Sequence, residues 1–389
     1  GGVKADWNGH NGRRAEVGYR FDQYDKSDYY VATGLDVRDY SNVQHTVRAL
    51  YSTAPLPLWA EGHTLELTGG GDLARDYLLT YQFRGDAHRQ FTADGYVQAD
   101  FHLGAQWEAV ATARYDYFSV GHHGCPTTKL TARYRNGAWT LRASYGQGFR
   151  APTLKEKYMN FFLNDIFIIR GHEQLRPEVS HNWHVSADWS KGGTEVSSSV
   201  SYNRVLDRIT TAEPTTERDG LSGLPFVDYI NVPRLTVWNV QLSVNHRRRL
   251  GSGTLSGTFQ YAFTHEQAPT VGTLTPYMPA RPHSATARLA YDRRFSPQYA
   301  VGVQLSGRFL SALSGREYNS ATGASRTLHY PAYALLRLAL TQQMGTAVRL
   351  NLTADNLLNY RPHIYYYNAP LTDGLNLSVG MTLDLDRLF

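Results

Sequence analysis

Leu375-Asn376-Leu377-Ser378-Val379-Gly380-Met381-Thr382-Leu383-Asp384-Leu385-Asp386-Arg387-Leu388-Phe389 closes the chain and carries the pattern that decides its fold. Odd positions from Leu375 to Leu385, and Phe389, are apolar; only Arg387 interrupts them. Even positions from Asn376 to Asp386 are polar or glycine. Side chains alternate across a strand with period two, so one face is apolar and the other polar. A half-buried strand of a soluble sandwich has the same pattern. Roughly ten alternating residues is also the length a tilted strand needs to cross a bilayer.

The pattern recurs. Val348, Leu350, Leu352 and Ala354 alternate with Arg349, Asn351 and Thr353. Trp183, Val185, Ala187 and Trp189 alternate with Asn182, His184, Ser186 and Asp188. Trp238, Val240, Leu242 and Val244 alternate with Asn239, Gln241, Ser243 and Asn245, and Leu255, Phe259, Tyr261 and Phe263 stand against Ser256, Thr258 and Gln260. The polar face carries full charges, among them Asp188, Arg288 and Arg349. A packed soluble core does not accept unpaired charge, whereas a wide aqueous or plugged lumen does. The expectation is an all-β, antiparallel up-and-down transmembrane barrel, with a soluble sandwich or propeller as the competing architecture. In that barrel Trp183, Val185, Leu350, Leu352, Leu377 and Val379 face lipid, while Asn182, His184, Arg349, Asn351 and Asp384 face inward.

Composition narrows the class. The mean hydropathy of −0.44 and the lack of any 18-residue apolar run argue against a transmembrane helix, which says nothing against a barrel. Twenty-seven tyrosines and 7 tryptophans suit interfacial aromatic girdles. One cysteine excludes an intrachain disulfide. The net charge of +5 is spread along the chain, and no basic stripe with interleaved aromatics points to nucleic acid. Gly1-Gly2 shows no signal peptide and reads as an internal cut.

Seventeen strand-like segments are expected, near 13–24, 28–40, 43–53, 63–73, 88–102, 106–118, 128–135, 139–150, 178–190, 194–207, 232–247, 253–264, 281–294, 298–310, 333–344, 347–358 and 374–389. No linker divides them, so residues 1–389 read as one domain. Short connections such as Asn136–Gly137, Lys191–Gly193, Leu250–Gly253, Phe295–Gln298 and Gly345–Thr346 alternate with long ones at 151–177, 208–231, 265–280, 311–332 and 359–373. Outer-membrane barrels show this asymmetry, with short turns on the periplasmic side and long loops outside.

Tyr145-Gly-Gln-Gly-Phe-Arg-Ala-Pro152-Thr-Leu-Lys-Glu156 resembles the box that follows a mid-barrel strand in TonB-dependent outer-membrane receptors. Gly171-His-Glu-Gln-Leu175-Arg-Pro177-Glu178 resembles the second box of that family, and Ala354-Asp-Asn356-Leu357-Leu358-Asn359 with a terminal Phe resembles its close. The resemblance is traced over roughly 45–389. It implies a 22-stranded barrel occupied by an N-terminal plug, so about five strands and the plug are expected to lie outside this chain. It also implies a Gram-negative outer-membrane location, embedding in outer-membrane lipid, coupling to the TonB complex through the plug, and possible delivery of cargo by a surface lipoprotein. No resident cofactor is expected; haem or another metal complex is expected as cargo.

Several residues are candidates for holding that cargo. Arg150 offers a planar multi-donor head for carboxylates or propionates, or else folds the loop it opens. His172 stands where many haem receptors have the Asn of their second box, and its imidazole is either an iron ligand or a solvated loop histidine. Those receptors usually carry another histidine midway between the boxes, where this chain has Leu163. His122, His123 and Cys125 lie within four residues as a candidate metal or haem site, although the spacing fits no standard zinc pattern. Tyr318, Tyr365 and Tyr366 are rings able to stack on a macrocycle, or members of an interfacial belt. No nucleophile–base arrangement, phosphate loop or His-Glu-x-x-His is visible, so no enzyme is expected. The resulting reading is a TonB-dependent importer of haem or another iron complex. A cobalamin importer, a passive porin or adhesion barrel, and a barrel hydrolase are the alternatives.

Overall fold

The computed structural model describes residues 1–80, 87–163, 166–268, 280–319, 324–362, 370 and 372–385. In chain order the strands begin with β1 Gly2–Asn8, β2 Arg14–Tyr30, β3 Leu35–Ser52, the short β4 Leu56–Pro57, β5 His63–Thr80, β6 His88–Leu103, β7 Trp107–Phe118, β8 His123–Asn136 and β9 Trp139–Arg150. A five-residue helix, α1 Leu154–Tyr158, precedes β10 Asn160–Leu163 and β11 Phe167–Arg170. Then come β12 Glu178–Lys191, β13 Thr194–Thr211, β14 Phe226–Leu250, β15 Gly253–Gln267, β16 His283–Ser296 and β17 Tyr299–Leu310. β18 Leu313–Asn319, β19 Ala324–Tyr330, β20 Tyr333–Met344, β21 Val348–Asp355 and β22 Asn376–Leu383 complete the chain.

Among the described residues, β1–β3, β5–β9, β12–β17 and β20–β22 form the wall, each antiparallel to the next. The wall therefore has the expected number of strands, with different boundaries at its start. The expected strand at 28–40 is instead split by a turn at 31–34, its two parts ending β2 and beginning β3. Thr33 N–H and Gly34 N–H both donate to Tyr30 O, at 3.1 and 2.9 Å. Gly34 supplies the positive φ of 65° that closes it. The run Tyr29-Tyr30-Val31 has strand composition and hides this turn. β1, absent from the sequence reading, takes the third place. β13 and β14 also continue past their expected ends, so the long connection expected at 208–231 is shortened to 212–225 by a two-stranded extension.

The registers place the alternating residues on two opposite faces. Tyr291, Val303, Leu340, Leu352 and Val379 are cross-strand partners in one row, and Leu289, Leu305, Leu338, Ala354 and Leu377 in the next. The same outward face carries the row Ala143, Val185, Val200, Val240 and Phe263. Leu377 and Val379 are 71% and 74% exposed, an apolar face of the kind a bilayer covers. The opposite face is polar. Arg48 pairs with Asp72 at 2.6 Å, and Arg114 bridges Asp94 at 2.9 Å and Asp116 at 2.8 Å. Arg142 pairs with Asp188, and Arg133 with Glu108. Arg288, Arg349, Thr382 and Asp384 line one inward cavity of about 960 Å³, and His184 lines another with Ser186 and Asp188. The lipid-facing and inward residues named from the alternation thus lie on the faces expected of them.

The wall has no dry interior of its own. The buried apolar clusters sit at its long-loop end: Leu78, Leu154 and Met159 in one, and Phe167, Ile169 and Val227 in the other. Both depend on the segment 151–177. No described helix is long and apolar enough to cross a membrane.

Candidate functional site

Segment 151–177 leaves the wall after β9 and folds across its external mouth. Pro152 and Thr153 stop the ladder and start α1, which Thr153 caps by accepting a hydrogen bond from Glu156 N–H at 3.2 Å. Glu156 reciprocates by accepting from Thr153 N–H at 2.8 Å, completing a capping box. Leu154 and Met159 then reach Leu78 on β5, with Tyr40 and Val120 packed around them. Lys155 lies over the Tyr40 ring, and Tyr158 stacks on His88 with centroids 3.8 Å apart. Farther on, β10 and β11 form a hairpin whose second strand runs parallel to the start of β14, with Ile168 opposite Phe226.

Arg150 joins the two sequence boxes. Its guanidinium donates to both oxygens of Glu156, at 2.9 and 3.0 Å, and to Glu178 at 2.7 Å. Glu178 also accepts from the Ile209 N–H at 2.8 Å, which ties the network to β13. Gly171 N–H donates to Met159 O at 2.8 Å, so the second box closes on the end of α1. A Cβ at Gly171 would lie 2.7 Å from the backbone of Lys157 and Tyr158. Only glycine fits such a backbone approach. Gly171→Ala is therefore expected to cost about 1–3 kcal/mol of local stability and to raise protease nicking within 151–177.

Leu175 is 1% exposed and anchors the second box, while Arg176 is held at both ends. Its side chain pairs with Asp207 at 2.6 Å, and its N–H donates to Asn231 Oδ1 at 2.8 Å. Asn231 Nδ2 donates to Arg176 O and Asp207 O. Asp207 sits at φ 52°, where the β13–β14 pairing skips one position between Leu206↔Arg234 and Arg208↔Val232 without a change of register. Nothing in the local sequence marked Asn231 or Asp207, because their importance exists only once three distant segments meet.

The candidate residues fall into separate places. His172 shares Glu156 with Arg150: its N–H donates to Glu156 O at 2.9 Å. The exposed His172 ring places Nδ1 3.2 Å from Tyr229 O. A carbonyl only accepts, so Nδ1 is the donor in this contact and Nε2 is the ring nitrogen left without it. His122 occupies the β7–β8 turn at φ 50° and meets Tyr117 Oη at 3.2 Å. His123 lies against Gly121, beside the buried Lys157. Burial pulls the Lys157 ammonium below the ordinary lysine range, and Glu173 partly opposes this. Cys125 is buried in β8 opposite Asp116. Among the described residues no three His, Cys, Asp or Glu side chains converge as a metal site. Tyr318 lies in the β18–β19 hairpin, opposite Ser325. Tyr365 and Tyr366, with the terminal Phe389, lie outside the described residues.

The close of the chain has a clear local cause. Asn356 is 6% exposed at φ 54°, and its amide both donates to Tyr360 O (2.8 Å) and accepts from Tyr360 N–H (3.0 Å). Asn359, at φ 50°, accepts from Leu375 N–H at 3.1 Å. Asparagine tolerates the left-handed backbone and carries both donor and acceptor, which no apolar residue does.

A wall with an apolar outer face, an ion-paired inner face and a mouth crossed by a folded loop defines a transmembrane β-barrel of the outer-membrane kind. The chain belongs to the TonB dependent receptor-like, beta-barrel family, whose pattern matches residues 2–357. That match begins well before residue 45, so the first wall strands belong to the family region as well. Among solved structures the fold is similar to the siderophore receptor PirA from Acinetobacter baumannii (13% identity, TM-score 0.62), covering 98% of this chain and 61% of that one. A mutant of the ferric enterobactin receptor PfeA from Pseudomonas aeruginosa matches at 15% identity and TM-score 0.63, over 92% of this chain and 56% of that one. The FrpB iron transporter from Neisseria meningitidis matches at 14% identity and TM-score 0.61, over 98% and 62% respectively. The chain thus spans about three fifths of the length of these proteins. No match to a curated protein is found by sequence.

Proposed function

We propose that this chain is the barrel of an energy-coupled outer-membrane importer of an iron complex, with haem as the first candidate cargo. The observation that carries the cargo assignment is His172. Its Nδ1–H is taken up by Tyr229 O, which orients the ring and leaves Nε2 as the ring nitrogen through which a metal would bind. A metal-ligating histidine usually gives its other ring N–H to a backbone carbonyl or carboxylate, which fixes the orientation of the ring. Arg150, engaged by Glu156 and Glu178, acts on cargo through the shape of the loop. Tyr318, Tyr365 and Tyr366 are proposed as rim residues, and His122, His123 and Cys125 as secondary ligands at most.

A ferric chelate is the second reading. Leu163 occupies the position where haem receptors usually carry a further histidine, and the structurally similar proteins named above include siderophore receptors. Cobalamin is a third cargo within the same family. Coupling to TonB and receipt of cargo from a surface lipoprotein belong to the proposal for the full-length protein. The family is one of receptors and transporters, and a barrel hydrolase is the less favoured reading.

Titration of the full-length receptor with haemin, ferric siderophores and cobalamin tests these readings together. Haemin is expected to bind with a Soret shift that His172→Ala abolishes or moves, with affinity falling at least about tenfold for a lost axial ligand. An unchanged spectrum and affinity in His172→Ala removes this residue from the site. Binding of a ferric siderophore without haemin binding selects the second reading.

A further inference from the structure

On the outward face, the registers of β9 and β12–β15 stack two rows of different chemistry. Tyr145, Trp183, Tyr202, Trp238 and His265 are cross-strand partners in the first. Their first four rings are tilted against one another in sequence, with centroids 5.4, 5.4 and 4.6 Å apart. This is the form of an interfacial girdle. The next outward row, two residues nearer the long loops, reads Gln147, His181, Arg204, Thr236 and Gln267. Beyond it Leu206 is paired with Arg234. The change from rings to hydrogen-bonding side chains marks the level at which acyl chains give way to headgroups.

Arg204 and Arg234 are both exposed and line one cavity of about 510 Å³ with Leu206, Pro233, Gln267 and Ala268. Among the described residues neither guanidinium has an ion-pair partner, in contrast to Arg150, Arg170 and Arg176 inside the mouth. Asp207, beside Leu206, is taken by Arg176. His181 adds a third polar head, held to Tyr145 Oη by its Nδ1 at 2.9 Å. Two unpaired planar cations over an aromatic belt complement a phosphate attached to acyl chains: the guanidinium forks take the anion, and the rings and valines below take the hydrocarbon.

We propose that Arg204 and Arg234 form an outward-facing site for the phosphate of an anionic outer-leaflet glycolipid, which seats the barrel at a defined depth and position. The site lies on the lipid face, apart from the mouth where cargo is proposed to bind, and it rests on the membrane-barrel reading alone.

The test uses the full-length receptor in neutral detergent. Diphosphoryl lipid A, enzymatically dephosphorylated lipid A and inorganic phosphate are titrated in turn. Native mass spectrometry and tryptophan fluorescence (Trp183 and Trp238 lie beneath the site) report binding. Wild type is expected to bind diphosphoryl lipid A at least about tenfold more tightly than the dephosphorylated form. The Arg204→Ala/Arg234→Ala variant is expected to lose that preference, while Arg248→Ala/Arg249→Ala, at the opposite end of β14, keeps it. No phosphate preference in wild type overturns the proposal whether or not the variants fold. Equal losses in the two double variants overturn it as non-specific charge attraction, and equally tight inorganic phosphate binding overturns the lipid assignment. Haemin or siderophore affinity, measured on the same variants, is expected to stay unchanged, which separates failure here from failure of the cargo reading.

Discussion

Val200→Lys is expected to destabilise the folded barrel by about 2–4 kcal/mol, the cost of a lysine near the bilayer midplane on the lipid face. Ser199→Lys, one residue away, is expected to change stability by less than about 1 kcal/mol. The two side chains share a strand and differ in face. Val200 lies in the outward row Ala143, Val185, Val240 and Phe263, whereas Ser199 lies opposite Ser186 and Gln241 on the polar inner face. Urea titration of the full-length protein in lipid vesicles, followed by heat-modifiable mobility, measures both. Equal destabilisation by the two lysines would contradict the inside–outside assignment. In a soluble sandwich, where both faces of this strand would meet protein or water, no such asymmetry of this sign and size is expected.

Arg150→Ala is expected to release segment 151–177 while leaving the wall intact. The substitution strands Glu156 and Glu178, whose side chains are 15% and 17% exposed, without their shared cation. A fully buried pair loses about 3–5 kcal/mol when one partner goes. The Arg150 side chain is itself 41% exposed, so solvent screening reduces this to about 1–3 kcal/mol here. Hydrogen exchange is expected to accelerate by about tenfold or more in 151–177 and to remain unchanged in β13 and β14 beyond Ile209. Cargo affinity should fall alongside, because His172 is positioned through Glu156 O and Tyr229 O. Arg150→Lys is expected to fall between, since one ammonium does not span two carboxylates as a guanidinium fork does. Exchange in 151–177 identical to wild type would show that the loop is held by its apolar anchors Leu154, Met159 and Leu175 alone.

The wall was legible in the sequence because its determinants are local. A period-two alternation states which residues share a face, and a Gly-, Asn- or Pro-rich turn states where the chain reverses; neither requires knowing what lies across the sheet. Val379, Leu352 and Leu340 could be assigned to one face from their own strands, and the register then aligned them in a row. The reading lost its footing where the local signal was ambiguous. Tyr29-Tyr30-Val31 has strand composition up to the turn that Gly34 closes, and the short β1 presents too few alternations to be counted.

The mouth was legible only as an outline. The two boxes, 145–156 and 171–178, marked where something other than wall begins, and the composition of Thr153-Leu-Lys-Glu156 is that of a helix start. Their purpose was decided by tertiary structure. Arg150 meets Glu178 across 28 residues, Arg170 meets Asp228 across 58, and Asn231 reaches back 55 residues to Arg176. Contacts at such separations depend on the directions of several strands and on the left-handed backbone at Asp207 that interrupts the β13–β14 pairing, none of which a linear pattern encodes. The outward arginines illustrate the same division. Alternation alone places Arg204 and Arg234 on the lipid face, but their shared cavity and, among the described residues, their lack of an ion-pair partner arise only when β12 to β15 are laid side by side. Period and turn chemistry act over a few residues and are written in order along the chain, whereas charge pairing acts through space and is settled only by the assembled sheet.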